Sequence, residues 1–153
     1  MNETRQRKVK NNLDIVRGEG WNVVRLNAKK AKVEAVLGNG ITADEHRYKD
    51  KNKYYVFYPN FGIVVGYLIS VDKVKSVTFH TKNTIFTVSN IEGFIPCNLK
   101  TDQCIDFNST IKNVLEIYGK PDQDVKYRAM RRLSYKGIRF KFFSGEIGSI
   151  YVS

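Results

Sequence analysis

Apolar residues recur at helical spacing in two segments of the chain, and a glycine directly follows each segment. In residues 28–37 the apolar positions share one face, and Gly38 is placed to be a left-handed C-terminal cap. In residues 109–118 the predicted N-cap is Asn108 or Ser109. Gly119 and the proline two residues later stop this second helix. Two short amphipathic helices are therefore predicted, and the apolar residues at 13, 15 and 16 suggest a shorter one before Gly18.

Downstream of each helix the pattern changes to the alternation and β-branched or aromatic content that is typical of strands. A polar loop is predicted first, over residues 39–53 and again over 122–130. Three antiparallel strands then follow in each segment, and residues 84–88 are compatible with one more. The six principal strands are predicted at residues 54–58, 62–69, 73–79, 131–135, 138–143 and 147–152.

The two segments also resemble each other residue by residue. A constant offset of 81 places Asn27 on Asn108, Val33 on Val114 and Gly38 on Gly119. Such self-similarity is the signature of an internal repeat. The predicted fold is α+β: two tandem helix-plus-antiparallel-meander repeats, with the helices packed on one face of a sheet. The predicted boundaries within one compact unit are 1–12 (basic N-terminal lead), 13–88 (repeat 1), 89–104 (connector) and 105–153 (repeat 2).

Alternation along the predicted strands also separates two faces of the sheet. One face carries mostly aliphatic and aromatic residues and is predicted to form the core beneath the helices. We call the other the open face, which carries Tyr55, Phe57, Val64, Thr78, Arg132, Arg139, Lys141 and Tyr151. Tyrosine and arginine are enriched in binding hot spots because they combine contact area with polar groups. A partner-binding role is predicted for Tyr55, Phe57, Arg132, Arg139, Lys141 and Tyr151. Alternative interpretations are that the two repeats pack against each other there, or that the aromatic residues form a second small core.

The chain is strongly basic, with 26 lysines and arginines against 15 acidic residues and a net charge of +11. Such a charge favours acidic partners in general, including acidic protein surfaces and nucleic acid. The alternative function is therefore nucleic-acid binding. Its candidate residues form a basic loop, with an aromatic ring beside it that is able to stack on bases: Arg47, Lys49, Lys51, Lys53 and Tyr54.

No convergent set of catalytic groups is apparent in the sequence. The carboxylates lie in separate loops, and no glycine-rich motif continues into a phosphate-binding pattern. Two cysteines, Cys97 and Cys104, fit either reduced thiols or a short disulfide loop. With only His46 and His80 in addition, no metal site is predicted. The expectation is a protein that is not an enzyme and takes no cofactor.

The residues LNAKKAKVEAVLG, FGIVVGY and VKSVTF in the first repeat carry a resemblance to a known type of domain. Their counterparts in the second are FNSTIKNVLEIYGKP, YKGIRFKF and IGSIYV. The pattern resembles the tandem repeat of β-lactamase inhibitor proteins, and it is similar to the SmpA/OmlA family of small outer-membrane assembly lipoproteins. The resemblance implies a protein-binding module of the inhibitor, immunity or assembly-adaptor type.

No apolar run approaches the roughly 18–20 residues that span a bilayer. The basic N-terminus is followed by no apolar stretch of the kind found in signal peptides. A cytoplasmic location is the default expectation, and an exported or periplasmic one follows if an export signal precedes these residues. The identity of the partner and the oligomeric state stay open at this stage.

Overall fold

The computed structural model describes residues 14–42 and 52–153. The helices are α1 (Lys30–Leu37), α2 (Phe86–Ser89) and α3 (Ile111–Tyr118), and Pro59–Phe61 forms one 3-10 turn. The first strands are β1 (Gly20–Trp21), β2 (Val24–Arg25), β3 (Ile41–Thr42), β4 (Lys53–Tyr58), β5 (Ile63–Leu68) and β6 (Val74–His80). The last are β7 (Gln123–Tyr127), β8 (Met130–Tyr135), β9 (Ile138–Phe143) and β10 (Glu146–Val152).

Eight of these strands form one antiparallel sheet, in the order β3-β4-β5-β6-β10-β9-β8-β7. The pairing of β6 with β10 joins the strands that follow α1 to the strands that follow α3. The protein is thus α+β, as predicted from the sequence. β1 and β2 form a separate two-stranded hairpin.

Side chains along the central strands alternate between buried and partly exposed, so the core lies on one face of the large sheet. One cross-strand row of buried residues runs through all six central strands: Tyr58, Ile63, Phe79, Ile150, Phe140 and Leu133. Val33 and Leu37 of α1 and Val114 of α3 belong to the same hydrophobic cluster. Residues from both ends of the chain therefore share a single core, whose burial is the main force for folding.

Both long helices end at a glycine with positive φ. Gly38 has φ 77° and ψ −172°, and Gly119 has φ 80° and ψ −156°. Each N–H donates to the carbonyl four residues earlier, which ends the helix with its last amide satisfied. The prediction of a left-handed cap is correct in φ and wrong in ψ. The observed combination of positive φ and extended ψ is accessible essentially to glycine alone.

The N-cap of α3 is Thr110, so the prediction of Asn108 or Ser109 was wrong. Thr110 Oγ1 accepts from the Asn113 amide, and Asn113 Oδ1 accepts from the Thr110 amide, which together form a capping box. The two earlier residues are engaged in a turn around Asp106. Asp106 Oδ1 accepts from the Asn108 amide, and Ser109 Oγ accepts from the Asp106 amide.

Four further predictions of local structure were wrong. Residues 84–88 do not form a strand: α2 lies there, because β6, the strand that precedes them, already has β5 and β10 on its two sides. The predicted loop 122–130 contains β7, whose residues are all exposed, as fits an edge strand. Ile15 and Val16 take part in β-bridges rather than a helix, and β3 lies within the predicted loop 39–53.

Within the described ranges both cysteines are free thiols, with Cys97 buried and Cys104 exposed. No helix in these ranges combines the length and the apolar character needed to cross a bilayer.

A buried pair of tyrosines in the core provides a stability prediction. The hydroxyls of Tyr58 and Tyr67 are 2.7 Å apart, and both side chains are almost fully buried. Burial raises the pKa of Tyr58 to about 12. Tyr67→Phe is expected to lower the free energy of unfolding by about 1–3 kcal/mol, because the Tyr58 hydroxyl is left without a partner.

Urea denaturation of three variants tests this pairing. The double variant Tyr58→Phe/Tyr67→Phe is expected to lose less stability than Tyr67→Phe alone, since it removes both polar groups. Additive losses in the double variant would contradict a coupled pair.

Candidate functional site

The register of the strands places the predicted partner-binding residues on one face of the sheet, opposite the core. One cross-strand row on this open face contains Phe57, Val64, Thr78, Tyr151, Arg139 and Ser134. Arg132 and Lys141 are directly opposite each other in the neighbouring row. The structure thus brings Arg132, Arg139, Lys141 and Tyr151 together on β8, β9 and β10.

Phe57 and Tyr55 lie apart from this group, on β4 at the far end of the sheet. The side chain of Phe57 is only 5 % exposed, because the ring of Phe94 stacks on it at a centroid distance of 6.4 Å. The prediction that Phe57 belongs to an exposed docking surface was therefore wrong. Phe57 belongs to a small second core beneath the connector. Tyr55 is partly buried, with the Lys53 ammonium 6.0 Å from its ring centroid.

Arg132, Arg139 and Lys141 form a compact positive spot, which we call the basic cluster. Each is partly buried. The Arg139 guanidinium carbon lies 4.7 Å from the centroid of the Tyr151 ring, a cation–π contact that orients it. Like charges directly opposite each other on neighbouring strands are destabilising, and Arg132 and Lys141 are such a pair. The fold therefore holds these charges together at a cost to its own stability.

The electrostatics of the neighbouring groups reflect this concentration of charge. The pKa of Lys141 is lowered, first by burial and then by the charges of Arg132 and Arg139. The pKa of His80 is lowered to about 4, mainly by burial and further by Lys141. His80 is thus neutral near pH 7 and adds no charge, and its Nδ1 lies 2.7 Å from Thr84 Oγ1.

The basic cluster has unused hydrogen-bonding capacity. Within the part of the chain that the structure describes, Arg132 Nε, Arg139 Nε and Ser134 Oγ are buried without a hydrogen-bond partner. Buried polar atoms of proteins are nearly always paired, so a set of unpaired donors on one surface is unusual. The ion pairs seen among the described residues lie elsewhere, for example between Arg131 and Asp124 at 2.7 Å.

The nucleic-acid candidates are only partly described. Arg47, Lys49 and Lys51 lie outside the described residues. Tyr54 points toward the core side: its hydroxyl donates to Asp72 Oδ1 at 2.6 Å, and its ring stacks on Tyr67 at 5.6 Å. The Lys30 ammonium also lies 5.1 Å from the centroid of the Tyr54 ring. These contacts tie the Tyr54 side chain to the core, against which it packs.

Sequence reasoning missed Ser134 and His80 as neighbours of the basic cluster. Strand alternation alone places Ser134 on the same face as Arg132, so this residue was within reach of the pattern. His80 was not, since its position depends on the pairing of β6 with β10, where it is opposite Ser149. In residues 14–42 and 52–153, no group of three or more histidine, cysteine, aspartate or glutamate side chains is arranged to hold a metal ion.

Comparison with known proteins relates the chain to one solved structure. It superposes on the crystal structure of YjgB, a DUF4309 family protein from Bacillus subtilis subsp. subtilis str. 168, with a TM-score of 0.50 and 11% identity. The match covers 89% of this chain and 87% of that one. At this identity the likeness concerns the fold alone. No protein-family profile and no curated protein sequence matches the chain.

Proposed function

We propose that the protein is a non-enzymatic protein-binding module, of the inhibitor, immunity or assembly-adaptor type, that uses the open face of its sheet. The observation that carries this proposal is the basic cluster: three partly buried cations beside the partly buried ring of Tyr151, with unpaired Nε donors on both arginines. Arginine and tyrosine held rigidly on a sheet contribute strongly to protein interfaces, because little side-chain entropy is lost on binding.

We also propose that the fold arose from two tandem repeats. Support comes from the order of the elements, since α1 is followed by β3–β6 and α3 by β7–β10. The sheet order places these two sets side by side with β6 and β10 at the centre. Gly38 and Gly119, which the sequence repeat aligns, have closely similar φ and ψ. Each repeat then contains four strands rather than the three expected from the sequence.

Protein binding is favoured over nucleic-acid binding by the distribution of charge on the open face. Residues paired in register with the basic cluster carry no charge: Val125, Ser134, Ser149 and Tyr151. A nucleic-acid strand presents a charge about every 3.4 Å, so it is bound best by an extended positive groove. A confined positive spot among neutral and aromatic residues matches one acidic site on a protein surface better.

Affinity capture tests the proposed function. Immobilised wild-type protein and the variant Arg139→Glu/Tyr151→Ala are each exposed to lysate of the source organism, and recovered proteins are quantified by mass spectrometry. A true partner is expected to be depleted at least about tenfold by the variant, because charge reversal at a hot spot costs more than about 1.4 kcal/mol. The partner is then purified and its binding measured by calorimetry.

The matched control is Lys136→Glu, which changes the net charge like Arg139→Glu but lies in an exposed turn. This control is expected to retain the partner. Equal loss of the partner with Lys136→Glu and with the double variant would show that the effect depends only on net charge. Equal recovery by wild type and the double variant would rule out the open face as the docking surface. Recovery dominated by nucleic acid would favour the alternative function.

A further inference from the structure

We infer that Arg132, Arg139 and Lys141, together with Ser134, form a receptor for carboxylate side chains of an acidic protein segment. This inference deepens the proposed function and rests on the same face, but it names the chemistry of the anchoring group. Among residues 14–42 and 52–153 no acidic side chain forms an ion pair with these cations, which leaves their charge available to a carboxylate of a partner.

The geometry of the donors suits an oxyanion. Guanidinium groups present their Nε and Nη donors as a planar fork that matches the two oxygens of a carboxylate. The Nε atoms of both arginines and the hydroxyl of Ser134 are buried without a hydrogen-bond partner among the described residues. Ser134 is directly opposite Arg139 in the register. Lys141 adds a point charge opposite Arg132. Two strands that are hydrogen-bonded to each other, β8 and β9, hold all four groups, which limits the entropy that these side chains lose on binding.

The extent of the positive region favours a carboxylate on a protein rather than a polyanion. The clustered cations occur on β8 and β9, and Lys53 lies apart from them, beside Tyr55 on β4. The open-face residues of the intervening β5 and β6 are neutral: Val64, Ser76, Thr78 and His80. The ring of Tyr151, which makes a cation–π contact with Arg139, offers apolar surface next to the cations. An acidic side chain flanked by apolar residues would satisfy both features in one contact.

Lys141 provides a signature that distinguishes a binding role from a structural one. Its charge is partly buried and repelled by two arginines, so the free protein is expected to be stabilised when that charge is removed. Lys141→Met is therefore expected to raise the Tm of the free protein and at the same time weaken ligand binding. A residue that served the fold would lower the Tm when replaced.

The test uses the full chain and a capped tetraglutamate peptide as the probe. Binding is followed at low salt by the ¹H–¹⁵N signals of the arginine Nε–H groups and by the Tm. The peptide is expected to shift the Arg132 and Arg139 signals in preference to the other arginines. Lys141→Met is expected to weaken binding at least tenfold, whereas Lys136→Met, which removes the same charge from an exposed turn, changes it less than twofold.

Other outcomes decide against the inference. Unchanged Arg132 and Arg139 signals at millimolar peptide would overturn it, and so would equal weakening by the two lysine variants. Tighter binding of inorganic phosphate or of a 12-nucleotide oligothymidine than of the peptide would exclude a carboxylate receptor. Peptide binding at the basic cluster together with a failed capture experiment would retain this site and reject the proposed partner-binding function, so the two failures are separable.

Discussion

Replacing Phe140 with alanine is expected to lower the free energy of unfolding by about 3–5 kcal/mol. Phe140 is fully buried at the centre of the core row on β9. Its ring centroid lies 5.1 Å from that of Tyr118 on α3 and 6.2 Å from that of Tyr135 on β8. The substitution removes the contact area of the ring, leaves a cavity, and breaks two aromatic pairs, of which the one with Tyr118 links α3 to the sheet.

The measurement is urea denaturation followed by circular dichroism, with Phe86→Ala as the matched control. Phe86 loses the same atoms, but its side chain is 74 % exposed, so its replacement is expected to change stability by no more than about 0.5 kcal/mol. A loss below about 1 kcal/mol for Phe140→Ala, or equal losses for both variants, would show that Phe140 is not central to the core.

The sequence pattern predicted the central architecture because burial enforces it. Residues such as Ile138, Phe140 and Phe142 alternate with polar ones, and a shift of one residue would expose all of them. The glycines that end α1 and α3 were equally informative, since only glycine adopts their backbone geometry at low cost. These features depend on the chemistry of individual residues and on which face of the sheet is buried. The sequence contains both kinds of information.

The elements that sequence reasoning missed are set by tertiary context. β7 is exposed on all its residues, so no hydrophobic alternation marks it, and its pairing with β8 alone makes it a strand. Residues 84–88 have strand-like composition, but β6, the strand that precedes them, already has a partner on each side, and β propensity is weaker than the availability of a partner. Thr110 rather than Ser109 caps α3 because the side chain of Asn113 completes a reciprocal pair with it.

The candidate site was predicted in part for the same reasons. Alternation placed Arg132, Arg139 and Lys141 on one face, and the structure adds that they are adjacent and form no ion pair with the acidic side chains of residues 14–42 and 52–153. Phe57 satisfied the same alternation, yet it is buried, because a residue 37 positions later in the connector packs on it. Strand periodicity identifies which face a residue occupies, but it carries no information about what covers that face.

Acidification is expected to weaken the protein through His80. Since its folded pKa is about 4 and its ordinary value is 6.5, the unfolded chain binds a proton between these pH values and the folded protein does not. Stability therefore falls as the pH drops from about 6.5 to about 4, and levels off below. At about 1.4 kcal/mol per pKa unit, the loss attributable to His80 is roughly 3 kcal/mol.

Comparison of wild type with His80→Gln isolates this contribution. Carboxylates such as Asp124, whose pKa is lowered by its hydrogen bond to Arg131, also destabilise the fold in acid, but they do so in both proteins. The free energy of unfolding is measured at pH 7 and pH 4 for each, and the wild type is expected to lose about 3 kcal/mol more than the variant. Equal losses, or a His80 pKa near 6.5 by NMR titration, would contradict the buried neutral imidazole. The charge of Lys141 reinforces the effect, so Lys141→Met is expected to raise the pKa of His80 and reduce the acid sensitivity.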